Sequence, residues 1–236
     1  MGENLDNRHR YKDFTTDEYN IVKAVLGRTL SSPEAVVSLI RSIRYILANN
    51  IPGAFVECGV YKGGSIEVMI RTLQLFNCER HIYGYDTFDG MPKPGKLDYE
   101  YGIGYAMDTW NTLRDGDKTE GSNWVKCGIE EVARYISNLG YPKCNTYLIK
   151  GMVEDTIPTY APKEIALARF DTDFYQSTQH EFNHLYPLIA SGGVLIIDDY
   201  GAFQGSFMAT EEYIHNHRLR AYLHRVDEHV RILIKP

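Results

Sequence analysis

A short apolar run, Ala54 to Cys58, passes through Gly59-Val60-Tyr61-Lys62-Gly63-Gly64-Ser65 into a helical pattern from Ile66 to Phe76. This strand, turn and helix unit sets the rhythm of the chain. His81 to Asp86 reads as a second strand and Asn145 to Lys150 as a third; Ile165 to Asp171 leads into a helix from Gln176 to Ile189, and Gly193 to Asp198 is a fifth strand. Strands alternating with helices of about ten residues require a parallel sheet with right-handed crossovers. The end breaks the rhythm. Ala221 to Arg225 and His229 to Lys235 are separated by only a few polar residues, so they form a hairpin whose last strand runs antiparallel. The expected fold is α/β: a doubly wound, mostly parallel seven-stranded sheet with a C-terminal antiparallel hairpin.

At 236 residues the chain suits one such domain with local elaborations. Residues 1–50 read as a helical lead-in. Within it Ala35, Val36, Leu39, Ile40, Ile43 and Ile46 recur at helical spacing from Ser32 to Asn50, with Ser31 and Ser32 as cap candidates and Pro33 in the first turn. Residues 51–236 form the α/β domain. Between its second strand and a helix from Ile129 to Leu139 lies an insertion, about 91–128, with Pro92, Pro94, six glycines and many charges. Insertions after strands of such sheets fall at the ligand edge, so this one reads as a lid or acceptor loop; a loose surface excursion is the alternative.

The composition removes several functions. A net charge of -6 without a basic patch argues against nucleic acid. No run approaches 18 apolar residues and the polar MGENLDNRHRYKDF start has no signal-peptide core, so no membrane partner is expected. That start also lacks the Ser or Thr of an acylation signal. Cys58, Cys78, Cys127 and Cys144 form no metal-ligand spacing, which fits a reduced, cytoplasmic chain. The eighteen tyrosines suggest packing at subunit interfaces, hence a homo-oligomer.

The glycine turn carries the first chemical signal. Glycines after a first strand let backbone approach a ligand, and the following helix start offers free N–H groups. The dinucleotide pattern GxGxxG is absent: Glu57 precedes Gly59, and the spacing is GxxxGG. An acid there repels a pyrophosphate but suits a cationic amino group, such as that of S-adenosylmethionine. The second strand ends in Asp86, placed to accept both ribose hydroxyls of an adenosine ligand, and Thr87 or Phe88 could pack on the adenine. A tight turn of purely structural purpose would also explain the glycines.

The second signal is a carboxylate cluster. Arg169-Phe170-Asp171-Thr172-Asp173-Phe174-Tyr175 and Ile197-Asp198-Asp199-Tyr200 lie at the ends of neighbouring strands, which brings four acids into one pocket. Like charges at close range are costly. A divalent cation resolves the conflict, and oxygen-only ligands select a hard ion such as Mg²⁺. The competing readings are that Arg169 neutralises the acids, or that Asp198 and Asp199 only cap the next helix.

Together, FVECGVYKGGS, YGYDTFDGMP, KGMVEDTIP, RFDTDFYQST and GGVLIIDDYG resemble the macrocin O-methyltransferase (TylF-like) family, in order from about Phe55 to Gly201. The terminal hairpin is likewise the arrangement of class I methyltransferases rather than of dehydrogenases. The resemblance implies a donor site at Glu57, Gly59, Tyr61, Ser65, Asp86, Thr87, Gly151 and Asp171, with Gly151 near the adenine. It implies Asp171, Asp198 and Asp199 as metal ligands and Asp173 as general base, with Asp155 a weaker candidate. The aspartate layout is also similar to that of metal-dependent catechol methyltransferases, but the lysine base of those enzymes is missing between Asp171 and Tyr175. Lys93 to Gly128 carries no family motif.

The implied function is methyl transfer from S-adenosylmethionine, with Mg²⁺, to a sugar hydroxyl of a glycosylated natural product or other saccharide. A small phenolic or catechol acceptor is the alternative. A nicotinamide-dependent oxidoreductase is disfavoured by the missing GxGxxG and by Glu57, and a noncatalytic sugar- or nucleotide-binding protein by the intact aspartates. The histidines, mostly on predicted helices or the hairpin, suit surface or interface roles.

Overall fold

The computed structural model describes residues 11–114, 116 and 121–236. The polar start at 1–10, with its lack of an acylation signal, and part of the insertion, 115 and 117–120, lie outside these. Two helices precede the sheet. α1 (Thr16–Val25), which no apolar stripe announces, begins on a capping box in which Thr15 and Glu18 each accept the other's backbone N–H. α2 (Pro33–Ala48) starts where expected: Ser32 accepts from Ala35 N–H at 3.0 Å and Pro33 occupies the first turn.

The α/β part then runs β1 (Ala54–Cys58), α3 (Gly64–Leu75), β2 (Ile82–Asp86), β3 (Tyr99–Glu100), β4 (Gly104–Tyr105), α4 (Ala106–Leu113), α5 (Ile129–Ser137) and β5 (Thr146–Lys150). It continues through α6 (Val153–Thr156), β6 (Ile165–Phe170), α7 (Tyr175–His184), β7 (Ile189–Ile197), α8 (Gln204–Asn216), β8 (His224–Arg225) and β9 (Arg231–Ile234). Seven of the described strands form one sheet in the order β5-β2-β1-β6-β7-β9-β8. The first five are parallel and β9 is antiparallel to both neighbours, as the terminal hairpin required. β1 and β6 are buried throughout because helices cover both faces. On one side α1, α2 and α3 share a core through Val22, Ile43, Ile66 and Leu73; on the other Val56, Phe170 and Phe182 meet Tyr213 of α8.

Three differences from the sequence reading have physical causes. α7 stops at His184 instead of reaching Ile189, because Pro187 sits in a short 3-10 turn, and Ile189 already belongs to β7. α8 has no apolar stripe, since its buried face is Gly205, Ser206, Ala209, Thr210 and Tyr213. The insertion is folded. Its β3–β4 hairpin joins Glu100 to Phe203 in a bridge, and Tyr101 N–H donates to Ala202 O at 2.9 Å. Trp124 packs with Phe174 and Phe203, while Asp98, buried, accepts from Tyr175 N–H at 2.8 Å and so supplies the acceptor that the start of α7 lacks. No helix among the described residues is long and apolar enough to cross a membrane, and the four cysteines are free.

Candidate active site

The strand order reverses between β1 and β6, and a cavity of about 340 Å³ opens beyond their C-terminal ends. That is where such sheets bind ligands, and the volume suits a small molecule. Every predicted site residue lines it except Asp155, which is exposed elsewhere: Glu57, Gly59, Tyr61, Ser65, Asp86, Thr87, Gly151, Asp171, Asp173, Asp198 and Asp199 all face the cavity. Phe88 does not; its side chain is buried in the core.

The β1–β2 wall is built from backbone. Gly59 N–H donates to Tyr85 O at 2.8 Å, Asp171 N–H to Cys58 O at 3.0 Å, and Gly59 sits at φ 85. A Cβ on Gly59 would lie 1.8 Å from Asp171 O, so this glycine is needed for chain packing as well as for ligand approach. Asp86 holds the turn together. Its Oδ2 accepts from Val60 N–H at 2.7 Å and Tyr61 N–H at 2.9 Å, and its Oδ1 from Phe88 N–H at 2.5 Å. The Thr87 hydroxyl, at 3.4 Å from Oδ1, is a weaker fourth partner.

The β6–β7 wall is built from charge. Arg169 is buried and pairs with Glu57 at 3.0 Å, with Asp198 at 2.7 Å and with Asp171. It also donates to the Ser31 hydroxyl at 2.9 Å. The neutralising role open to Arg169 is therefore real, yet one cation faces five acids once Asp173 and Asp199 are included. Carboxylate oxygens of Asp171, Asp198 and Asp199 come within 4.8 Å of one another. Burial and mutual repulsion push Asp171 and Asp199 well above the usual carboxylate range, Arg169 offsetting only part of this. Asp173 is pushed up by burial and by Asp171; it adopts φ 66, and its N–H donates to Asp199 Oδ2 at 3.1 Å. Glu57 is held up at about 7 by burial, against the lowering charge of Arg169 and the nearby Ser65 hydroxyl. Its Oε2 is buried and has no hydrogen-bond partner among the described residues.

Sequence reasoning missed part of the lining. Arg28 to Ser32 crosses the cavity mouth, Ser31 reaching Arg169 while Ser32 donates to Asp227 at 2.5 Å. The loop after β8 adds His229, and the insertion adds Met91, Glu100 and Trp124. Two adjacent serines before α2, one more than a cap needs, were the only available signal.

A mostly parallel sheet closed by antiparallel strands, an acid at the end of β1 and of β2, and a carboxylate cluster after β6 and β7 define a class I methyltransferase. Residues 6–233 match the family described as Macrocin-O-methyltransferase (TylF). The chain belongs to that family and is an O-methyltransferase. It is 28% identical over 188 residues to demethyldecarbamoylnovobiocin O-methyltransferase of Streptomyces niveus, covering 79% of this chain and 68% of that one. It is 26% identical over 196 residues to mycinamicin III 3''-O-methyltransferase of Micromonospora griseorubida, covering 83% and 72%. Among solved structures, the O-methyltransferase NovP superimposes with a TM-score of 0.76 at 25% identity, covering 88% of this chain and 82% of NovP.

Proposed function

We propose that this chain transfers a methyl group from S-adenosylmethionine to a hydroxyl of a sugar-bearing small molecule, with magnesium held by Asp171, Asp198 and Asp199. The observation that carries this reading is the meeting of three carboxylates from two strand ends in the same cavity as Glu57, Gly59 and Asp86. The set fits the ion: its donors are all oxygens, which suits a hard cation, and two of them carry raised proton affinities that a divalent charge would relieve. Bound there, the ion would supply orientation of adjacent acceptor oxygens and ease loss of a proton from one of them.

The donor's amino group fits the unpartnered Glu57 Oε2, and Asp86, at the end of β2 on the cavity wall, accepts from the donor's ribose hydroxyls. Asp173 lies outside the ligand set and accepts the proton of the reacting hydroxyl as its oxygen attacks the methyl carbon from the side opposite sulfur. Met91 and Trp124 of the insertion line the cavity. The relatives named above, one acting on demethyldecarbamoylnovobiocin and one on mycinamicin III, support a glycosylated acceptor. The apolar surface of Met91, Trp124 and Phe203 would also receive a phenolic ring.

The test is labelled donor with a panel of glycosides and catechols, with and without chelator. Transfer to a glycoside, lost in chelator and restored by magnesium, is expected. Full activity after exhaustive chelation would remove the metal from the mechanism, and transfer to catechols alone would change the acceptor class.

A further inference from the structure

One enclosed acid has no part in the chemistry above. Glu181, on the inner face of α7, is 0% exposed, and its Oε2 has no hydrogen-bond partner among the described residues. Its Oε1 accepts from the Thr172 hydroxyl at 2.9 Å. The buried Cys58 thiol also donates a hydrogen bond to this carboxyl, Glu154 lies nearby, and among the described residues no cation pairs with it. Burial pushes the Glu181 carboxyl well above the usual carboxylate range. It is a poor stabiliser, because an oxygen stripped of water and left idle costs more than an apolar side chain filling the same space.

Its bond to Thr172 ends at a telling place. Thr172 stands between Asp171 and Asp173, and its carbonyl accepts from Phe174 N–H at 2.7 Å and from the Ser177 hydroxyl at 3.2 Å. Asp173, next in the chain, has φ 66, a conformation that a residue with a side chain keeps only where its surroundings hold it. On one side Asp199 holds the Asp173 N–H. On the other, Glu181 holds the Thr172 side chain.

We propose that Glu181 is a positioning residue: through the Thr172 hydroxyl it fixes the turn that aims Asp171 at the ion and Asp173 at the acceptor. This rests on the roles given to those aspartates above. Toward the Thr172 hydroxyl Glu181 needs only to offer an oxygen, so Glu181→Gln should retain kcat within about threefold. Glu181→Leu and Thr172→Val each delete the bond, and each should lower kcat about ten- to a hundredfold while donor Kd moves by less than about twofold. The double variant should be no slower than the slower single one, because both changes break the same contact.

Steady-state kinetics, donor calorimetry and the magnesium activation curve on the full chain read these out. Thr172→Val, at a half-buried turn, keeps the test alive if Glu181→Leu fails to fold. Wild-type kcat in Thr172→Val, additive losses in the double variant, or a Glu181→Gln enzyme as slow as Glu181→Leu would each overturn the proposal. A wild-type protein that transfers no methyl group with magnesium present refutes the functional reading and this inference with it. An active wild type beside an unimpaired Thr172→Val refutes the inference alone.

Discussion

The two walls of the cavity are made of different material. Along β1 and β2 the work is done by main chain: Gly59 is wedged between strand ends, and Asp86 satisfies three N–H groups of the turn. That wall is complete as folded. Along β6 and β7 it is done by side-chain charge, with Arg169 serving more acids than one guanidinium can neutralise. That wall gathers more acid than its one guanidinium offsets. Substitutions in the first wall should therefore disturb folding and donor affinity, whereas those in the second should disturb turnover while the fold survives.

The hardest test of that contrast is removal of a carboxylate proposed to hold the ion. Asp171→Ala, Asp198→Ala or Asp199→Ala should abolish transfer at ordinary magnesium concentrations, with partial recovery at higher ones. Because Asp199 is held above its usual range by burial and by its acidic neighbours, Asp199→Asn should melt in chelator no lower than wild type. An active Asp199→Asn enzyme, or an unfolded one, would erase the difference between the walls.

Asp173→Asn should follow, at roughly 10²–10⁴-fold in rate with magnesium affinity intact. Part of the rate should return at higher pH, where hydroxide can take the acceptor's proton. A variant whose only defect was metal affinity would move Asp173 into the ligand set and leave the base unidentified.

On the backbone wall, Gly59→Ala should lower stability by about 3–5 kcal/mol, since a positive φ and a clash with Asp171 O combine. Denaturant unfolding measures this, and a loss of activity without loss of stability would contradict it.

Glu57 bridges the two walls and gives a pH signature. Its pKa is raised in the folded chain to about 7, above the roughly 4.3 of an unfolded glutamate. The folded state thus keeps the proton longer, and this contribution to stability is full below the unfolded value and lost as pH rises to about 7. Melting temperatures in chelator between those limits should fall less steeply for Glu57→Gln than for wild type, and donor affinity should drop. Parallel slopes would show that Glu57 is not the group responsible.

The smallest effect is expected at the insertion. Glu100 lines the cavity, and its pKa is raised by burial in spite of nearby His229. Glu100→Gln should raise acceptor KM by about three- to tenfold, the size of a single hydrogen bond, and leave donor Kd unchanged. Equal damage to both would argue against a dedicated acceptor wall.

What the sequence made legible follows the same division. Glu57, Gly59, Asp86, Asp171, Asp198 and Asp199 sit where an apolar strand gives way to polar residues, so each is marked by an abrupt local change. α8 hides because its buried face is Gly205, Ser206, Ala209, Thr210 and Tyr213, small or polar residues that leave no hydrophobic period, whereas α7 is legible except for its end. The β3–β4 hairpin is too short to register as a pattern, and β8 keeps only the last two residues of the strand expected from Ala221 to Arg225. Ser31 and His229 reach the cavity only through tertiary closure. The bond from Ser32 to Asp227 joins segments at opposite ends of the chain, and no local signal can announce it.

Asp98 has a consequence for how such an enzyme can be altered. It belongs to the insertion, yet it accepts the first N–H of α7, and Gly205 must lack a side chain because a Cβ there would lie 2.3 Å from Asp98 Oδ1 and 2.5 Å from Tyr175 N. The insertion that lines the cavity is thus stitched to the helix that follows Asp171 and Asp173. Chimeras that exchange the insertion between relatives should tolerate new residues along the cavity, at Met91, Glu100 and Trp124, but not a graft boundary that discards Asp98 or pairs it with a bulkier residue at 205. The modular unit for redesign is the insertion together with the first turns of α7 and α8.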